Sequence, residues 1–278
     1  MRKNTLSALA VIWALALCSP AVVWGQSLAD PAAMTPKGQF ALGLDLSYLF
    51  EQQTADFDLR SDDSNGDSGY SRNSGKIKND QCYLLNLSYG VADWLSVFAQ
   101  AGVVNGGKLI ETNRDYPEEW EIKLRSQFVW GVGAKARAFK LDNGLALGLA
   151  ARYLRYDNRK MVDWRDNVTG RSADQNWSTD EELDYWQADL AATLSMPFGP
   201  VTPYVGLGYS YFEAKESGRW TSKSDPSYYA NYDAKMKSDN ELLALCGLDV
   251  ALGHGLSLYA QAEFVARTTV GLGLNWSF

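Results

Sequence analysis

The sequence predicts an all-β fold, a transmembrane, antiparallel up-and-down β-barrel of about ten strands with short turns at one end and long loops at the other. The first observation is segment 268–278 (TTVGLGLNWSF), in which apolar residues alternate with small or polar ones up to a terminal Trp-x-Phe. The second is that connections between such segments alternate between short and long. The third is that no stretch after residue 25 is apolar enough for a membrane helix, so a membrane-spanning chain must close its sheet into a barrel.

Period-2 alternation assigns ten strands, and losing or splitting one hairpin would give eight or twelve. The strands cover 39–50, 81–91, 94–104, 127–137, 145–153, 186–194, 205–211, 242–250, 258–264 and 268–278. Short turns fall near 92–94, 141–144, 197–200 and 253–255. Long polar loops fall near 53–79, 105–118, 157–182 and 213–238, with one short loop near 266–268. This alternation predicts that the long connections are extracellular and that both termini are periplasmic.

The N-terminal segment has the layout of a secretory signal peptide. Arg2 and Lys3 precede an apolar run over 6–17, and small residues follow before Gln26. The apolar run falls short of the roughly 20 residues that a spanning helix needs. We therefore expect a signal peptide over 1–25, a periplasmic lead-in over 26–38 and one barrel domain over 39–278.

The aromatic C-terminus resembles the assembly signal of bacterial outer-membrane β-barrel proteins. Trp276 and Phe278 carry this resemblance, together with the strand pattern and the signal peptide. It implies a Gram-negative outer membrane, with the barrel assembly machinery, membrane lipid and lipopolysaccharide as partners. The ten Trp and fifteen Tyr residues suit the aromatic girdles of such barrels.

Charge and cysteine content limit the classes of partner and of scaffold. Removing the signal peptide takes away two bases and no acid, so the net charge moves from −7 to −9. A nucleic-acid partner is therefore not expected, because phosphate binding calls for clustered Lys and Arg. Cys82 and Cys246 remain in the mature chain, too few for a disulfide scaffold, and the strand phases put them on opposite faces.

The inward-facing residues predict a lumen that is mostly filled by side chains. A barrel of about eight strands is just wide enough to be filled, and ten strands lie near that end of the range. Acids and bases of mixed sign are expected to pair inside it. The predicted lumen charge network comprises Asp45, Lys135, Arg137, Arg152, Asp189, Asp249 and Glu263. Inward glycines leave room for these side chains or, alternatively, for a thin water column, so a narrow channel for small solutes stays open as an alternative.

Candidate catalytic and metal sites are weak in this sequence. The acidic residues over 163–166 and 178–184 faintly resemble a loop of the omptins, ten-stranded outer-membrane proteases that pair acids with an Asp-His couple. The one histidine, His254, lies in a predicted periplasmic turn, out of reach of those acids. Segment 61–67 (SDDSNGD) has glycine where a calcium loop needs it, but Ser61 and Arg72 where that loop needs acids. We therefore predict no catalytic residue, no cofactor and no metal site, and interpret the loop acids as solvated.

Aromatic residues in the long polar loops are the predicted contact surface. Such side chains stack on sugars or hold a protein partner, or they pack on one another to close the outer mouth. The residues are Trp164, Trp177, Trp220, Tyr228, Tyr229 and Tyr232. The sequence thus favours a non-enzymatic structural or adhesin-like surface protein with a glycan or protein ligand, over a narrow channel and over a barrel enzyme.

Overall fold

The structure, a computed structural model, describes residues 32–278, all-β apart from one short 3₁₀ turn at Ala173–Gln175. Its thirteen strands are β1 (Phe40–Gln53), β2 (Phe57–Asp63), β3 (Ser68–Ala92), β4 (Leu95–Asn113), β5 (Glu119–Leu124), β6 (Gln127–Lys140), β7 (Ala146–Asp166), β8 (Trp177–Ser195), β9 (Val201–Ser222), β10 (Tyr229–Lys237), β11 (Leu242–Gly253), β12 (Leu256–Val265) and β13 (Arg267–Ser277). The predicted signal peptide and the lead-in residues 26–31 lie outside the described residues.

Ten strands close into a ring that we call the membrane ring. Its order is β1, β3, β4, β6, β7, β8, β9, β11, β12 and β13, and β13 pairs back onto β1. Every pairing in it is antiparallel. Each of the ten predicted strands corresponds to one of these, so the fold class and the strand count are confirmed.

The outer face of the membrane ring is apolar and carries aromatic pairs at both ends. At the end with short turns, Phe40 contacts Tyr89 with 4.9 Å between ring centroids, and Trp276 contacts Phe278 at 5.0 Å. At the other end, four aromatic side chains form a continuous row across β6–β9: Trp130, Tyr153, Trp186 and Tyr211. Exposed apolar side chains occupy the band between these ends: Leu42, Leu44, Leu85, Leu87, Val97, Val132, Leu149, Leu190, Leu207 and Leu248. A closed ring with an apolar band between aromatic girdles locates the protein in the bacterial outer membrane.

The long connections differ from the sequence prediction, because most of their residues are strand rather than loop. β3, β4, β7, β8 and β9 continue beyond the membrane ring, and β2, β5 and β10 are added between them. These eight strands close a second ring, the outer ring, in which β10 pairs with both β9 and β2. The alternation was hidden in the sequence because the water-facing side of these strands is charged and the inward side mixes apolar with polar residues.

The junction between the rings is held by a buried ion pair that the sequence analysis missed. Arg159 of β7 donates to both carboxylate oxygens of Asp80 on β3, at 2.7 and 2.8 Å. The same guanidinium donates to the backbone oxygens of Gly106 and Arg125, at 2.5 and 2.7 Å. The inward and outward sides of β3 and β7 exchange here, at Asn79 and Asn158. Their φ values of 55° and 56° are ones that asparagine tolerates.

An apolar core fills the barrel from this junction into the outer ring. Its members come from β1, β3, β4, β6, β7, β8, β9 and the three added strands. The most completely buried include Ile77, Leu84, Leu109, Ile122, Leu154, Met161, Leu183 and Phe212. Eight strands enclose just enough space for such a filling, so the outer ring has a solid base.

The periplasmic mouth of the membrane ring is covered by the described part of the lead-in. Ala32 and Thr35 are buried, and residues 32–35 pack against the ends of the strands. Lys37 forms an isolated bridge with Gly90 of β3. Among residues 32–278, no helix is long and apolar enough to cross a membrane.

We predict that Arg159→Met destabilises the protein by about 3–5 kcal/mol, because it leaves the Asp80 carboxylate buried without its partner. Urea unfolding of the refolded protein, with limited proteolysis of the outer ring, measures this loss. Lys160→Met is the matched control, since Lys160 pairs with Asp180 and Glu182 on the exposed face and such pairs contribute under about 1 kcal/mol. Equal losses in the two variants would contradict the role of the buried pair.

Candidate functional site

A buried charge cluster crosses the lumen of the membrane ring. Asp189 of β8 lies at its centre and accepts from Arg152 of β7 at 2.5 Å, from Arg267 of β13 at 2.9 Å and from Ser210 of β9 at 2.6 Å. Gln187 donates to the same carboxylate at 2.8 Å. All of these side chains are at most 3% exposed, so every polar atom needs a protein partner and the cluster supplies them.

Glu263 of β12 extends the cluster to the far wall. Its carboxylate accepts from Arg267 at 2.6 Å and from Gln261 at 2.7 Å, and Tyr204 of β9 donates to Gln261 at 3.0 Å. Two guanidinium groups and two carboxylates therefore balance in charge. Of the predicted network, the structure brings together Arg152, Asp189 and Glu263.

The other predicted lumen residues lie nearer the periplasmic end. Asp45 accepts from Tyr259 at 2.7 Å and from Gln100 at 3.0 Å, and Lys135 lies within electrostatic range of it. Arg137 donates to the backbone oxygen of Asp93 at 2.6 Å. Asp249 lines the space between the lumen wall and the lead-in.

The sequence analysis missed Arg267, which links the two carboxylates of the cluster. It belongs to a segment that we interpreted as a short loop, whereas β13 begins at this residue and its side chain is 2% exposed. The available signal was that Arg267 lies two residues before Thr269 and so continues the inward-facing side of the predicted strand.

The inward glycines make room for aromatic rings. A Cβ added at Gly247 would overlap the Tyr204 ring, and one added at Gly273 would overlap the Tyr259 ring. A Cβ at Gly133 would similarly overlap the Phe98 ring. These glycines therefore accommodate side chains that span the lumen.

The extracellular end of the outer ring holds a cavity of about 450 Å³, which we call the cup. Every strand of the outer ring contributes to its wall. The lining residues are Leu59, Ser71, Asn73, Glu111, Asn113, Tyr116, Glu118, Trp120, Trp164, Glu181, Glu216, Trp220 and Tyr232. The mouth of a β-barrel is a common place for a ligand site, and this volume is within the usual range.

Three glutamates of the cup are buried together. Glu111, Glu181 and Glu216, from β4, β8 and β9, are each at most 2% exposed. Glu111 and Glu216 hydrogen-bond to each other, and Trp220 donates its indole N–H to Glu181 at 2.8 Å. Burial, and then the charge of Glu111, raises the pKa of the Glu181 carboxyl to about 8, and burial also raises the pKa values of Glu111 and Glu216. Interpreting Glu181 as a solvated loop acid was wrong, because β8 continues through this position and turns it inward.

The predicted contact aromatics divide between the cup and its rim. Trp164, Trp220 and Tyr232 line the cup together with Trp120, which the prediction omitted. The three Trp rings meet edge-to-face, with centroid distances of 5.1–6.4 Å. The remaining aromatics lie toward the rim, where Trp177 packs on Tyr228 and Arg219 stacks over Tyr229.

Two other sequence features lie away from the cup. His254 is exposed in the turn between β11 and β12, at the opposite end of the barrel. Segment 61–67 is the end of β2 and a tight turn, in which the Asp63 carboxylate accepts the backbone N–H groups of Asn65 and Asp67.

Within residues 32–278, no cluster of His, Cys, Asp and Glu has the arrangement of a metal site. Cys82, which is buried, and Cys246, which is exposed, are both free cysteines.

Comparison with known proteins finds similarity of fold. No family model and no curated protein matches the sequence. The outer-membrane protease OmpT of Escherichia coli is 12% identical, over 86% of this chain and 97% of that one, with a TM-score of 0.48. The outer-membrane protein OprG of Pseudomonas aeruginosa is 12% identical, over 88% and 98%, with a TM-score of 0.46. Ail, the attachment invasion locus protein of Yersinia pestis, is also 12% identical, over 87% and 99%, with a TM-score of 0.31.

We predict that the outer ring is less stable at high pH. A raised folded-state pKa means that the folded protein binds more protons, so stability is full below about 4.5 and falls as pH rises toward about 8. At about 1.4 kcal/mol per pKa unit, the loss is on the order of 1–4 kcal/mol. Urea unfolding followed by tryptophan fluorescence at both pH extremes measures it.

Glu181→Gln should flatten this pH dependence. Glu182→Gln, the neighbouring residue that points outward and pairs with Lys160, should leave it unchanged. A wild-type outer ring that grows more stable with rising pH would contradict the assignment of buried, proton-binding carboxyls.

Proposed function

We propose that this protein is a non-conducting, non-enzymatic outer-membrane barrel that acts at the cell surface by binding a ligand at its extracellular end. The observation that carries the proposal is that the lumen is obstructed at two successive levels along the barrel axis. The charge cluster around Asp189 crosses the membrane ring, and the apolar core closes the outer ring beneath the cup. Ion passage would require breaking buried ion pairs or wetting an apolar core, and both cost several kcal/mol.

The features that distinguish the surface-binding role from a structural one lie in the cup. A protein that only closed its outer mouth would pair its buried polar groups internally, as the charge cluster does. The cup instead buries acids and an indole N–H whose partners are incomplete. The rim aromatics add contact area for a larger glycan or protein ligand. Lipopolysaccharide and the assembly machinery stay predicted partners, from the apolar band and the C-terminal Trp276 and Phe278.

The narrow channel is less well supported than the closed barrel. The inward glycines that favoured it receive the rings of Tyr204, Tyr259 and Phe98. The enzyme alternative has acids in the cup, but His254 lies at the other end of the barrel and is out of hydrogen-bond reach.

We expect no steady conductance from the refolded protein in a planar bilayer, because its lumen is blocked at two levels. Heat-modifiable migration on the same sample confirms folding, and a porin added afterwards to the same bilayer confirms sensitivity. Steady openings whose size changes in Asp189→Asn would make the protein a channel and overturn the proposal.

A further inference from the structure

The three buried glutamates of the cup have no basic partner, unlike the buried acids that form ion pairs elsewhere in the barrel. Asp80, Asp189 and Glu263 are each bound by an arginine. Among residues 32–278, no Lys or Arg lines the cup. One carboxylate oxygen of each cup glutamate is buried without a hydrogen-bond partner: Glu111 Oε1, Glu181 Oε2 and Glu216 Oε2. Buried acids in this arrangement need either protons or a cation.

Two further buried polar groups in the cup wall lack partners. Trp164 is 4% exposed and its indole Nε1, a donor, has no acceptor. Asn73 is also 4% exposed, and its Oδ1 has no donor. Unsatisfied buried groups are rare and each one calls for an explanation. In the cup they add one donor and one acceptor to the three carboxyls.

The aromatic wall defines the kind of cation. Trp120, Trp164, Trp220 and Tyr232 form a continuous cluster, in which Trp220 contacts each of the other three rings at 5.1–5.9 Å. Aromatic faces attract ammonium groups and are recurrent in sites for quaternary and methylated amines. A hydrated metal ion gains little from such a wall, since it prefers oxygen ligands throughout.

We propose that the cup binds a small organic ammonium compound that carries a hydrogen-bond acceptor of its own. The ammonium group contacts Glu181 and the Glu111–Glu216 pair and lies against the tryptophan rings. The acceptor, a hydroxyl or carbonyl oxygen, receives the Trp164 indole N–H, and Asn73 accepts from a donor on the ligand. This assignment rests on the surface-binding part of the proposed function and does not depend on whether the lumen conducts.

Binding exchanges the cation for protons. Burial raises the pKa of all three carboxyls, and that of Glu181 to about 8, so Glu181 holds a proton at neutral pH that an ammonium ion displaces. The titratable groups that face them are Tyr232 from β10 and Tyr116 and Glu118 at the rim, none of which brings a positive charge. Asp180, on the outer face of β8, adds a further negative charge nearby. Affinity should therefore rise with pH and each binding event should release protons. A neutral sugar would release none.

The test uses the refolded full-length mature barrel with two matched pairs of probes. Glucosamine and N-acetylglucosamine share a ring, and acetylation removes the charge on nitrogen. Choline and 3,3-dimethyl-1-butanol share a shape, and the alcohol has a neutral carbon in place of the charged nitrogen. Isothermal titration calorimetry in buffers of different ionisation enthalpy counts the protons released, and quenching of tryptophan fluorescence reports on the cup. We expect choline or glucosamine to bind at least about tenfold more tightly than its neutral partner, a difference of about 1.4 kcal/mol.

Variants connect the binding to the cup. Glu111→Gln/Glu181→Gln/Glu216→Gln preserves side-chain size and should weaken ammonium binding by at least about tenfold. The matched control, Glu121→Gln/Glu182→Gln/Glu213→Gln, removes three glutamates of the same strands or a neighbouring strand that pair with lysines on the outer surface, and should bind normally.

Three results would overturn the assignment: equal affinity for charged and neutral probes, binding of ammonium without proton release, or binding of Mg²⁺ or Ca²⁺ alone. Comparing charged and neutral probes on the wild-type protein tests the assignment even if the triple variant fails to fold. A silent barrel that binds no ammonium would refute the ligand class and leave the closed lumen standing. A conducting barrel that binds ammonium at the cup would refute the closed lumen and support the ligand class.

Discussion

Closure of the sheet is the constraint on which the rest of this structure depends. Inside a bilayer every backbone N–H and C=O must find a partner in the protein, so β13 has to return to β1. Above the bilayer water relaxes that requirement, yet the chain closes a second time with eight strands. The reduction from ten strands to eight narrows the barrel, and a narrower barrel can be filled by its own side chains. The base of the outer ring is consequently filled by apolar side chains, and the cup lies at its extracellular end.

The two rings treat buried charge in opposite ways. In the membrane ring the charges of the Asp189 cluster balance. Arg152 and Arg267 both donate to Asp189, and Arg267 also donates to Glu263. In the cup three carboxyls gather among tryptophans with no base. A buried acid without a basic partner is costly to ionise, and a cationic ligand that supplies the missing charge lowers that cost for all three. The difference between these clusters is the physical reason for assigning binding to the extracellular end.

The ten membrane strands were predictable because bilayer and lumen impose a strict two-residue alternation, as in 268–278 and 81–91. The outer ring was not, since β8 and β9 carry Glu181 and Glu216 on their inward side and the phase changes at Asn79 and Asn158. The added strands β5 and β10 do alternate, but they span only six and nine residues. The pairs Arg159–Asp80 and Arg267–Asp189 join residues 79 and 78 positions apart, which no local pattern reveals. Glu181 was misinterpreted for the same reason: without the strand, its inward direction is invisible.

Pairing of β2 with β10 is the contact that completes the outer ring, and a disulfide tests it most directly. Asp62 and Asn231 are opposite each other on the water-facing side. The background for the test is a variant with Cys82→Ala and Cys246→Ala. In it, Asp62→Cys and Asn231→Cys together should form a disulfide readily, because opposed residues of antiparallel strands are about 4.5–5.5 Å apart. Cysteines at 62 and 235, out of register on the same face, should not. Failure of the 62–231 pair to form a disulfide in the folded barrel, or equal formation by both pairs, would contradict the closed outer ring and the cup inside it.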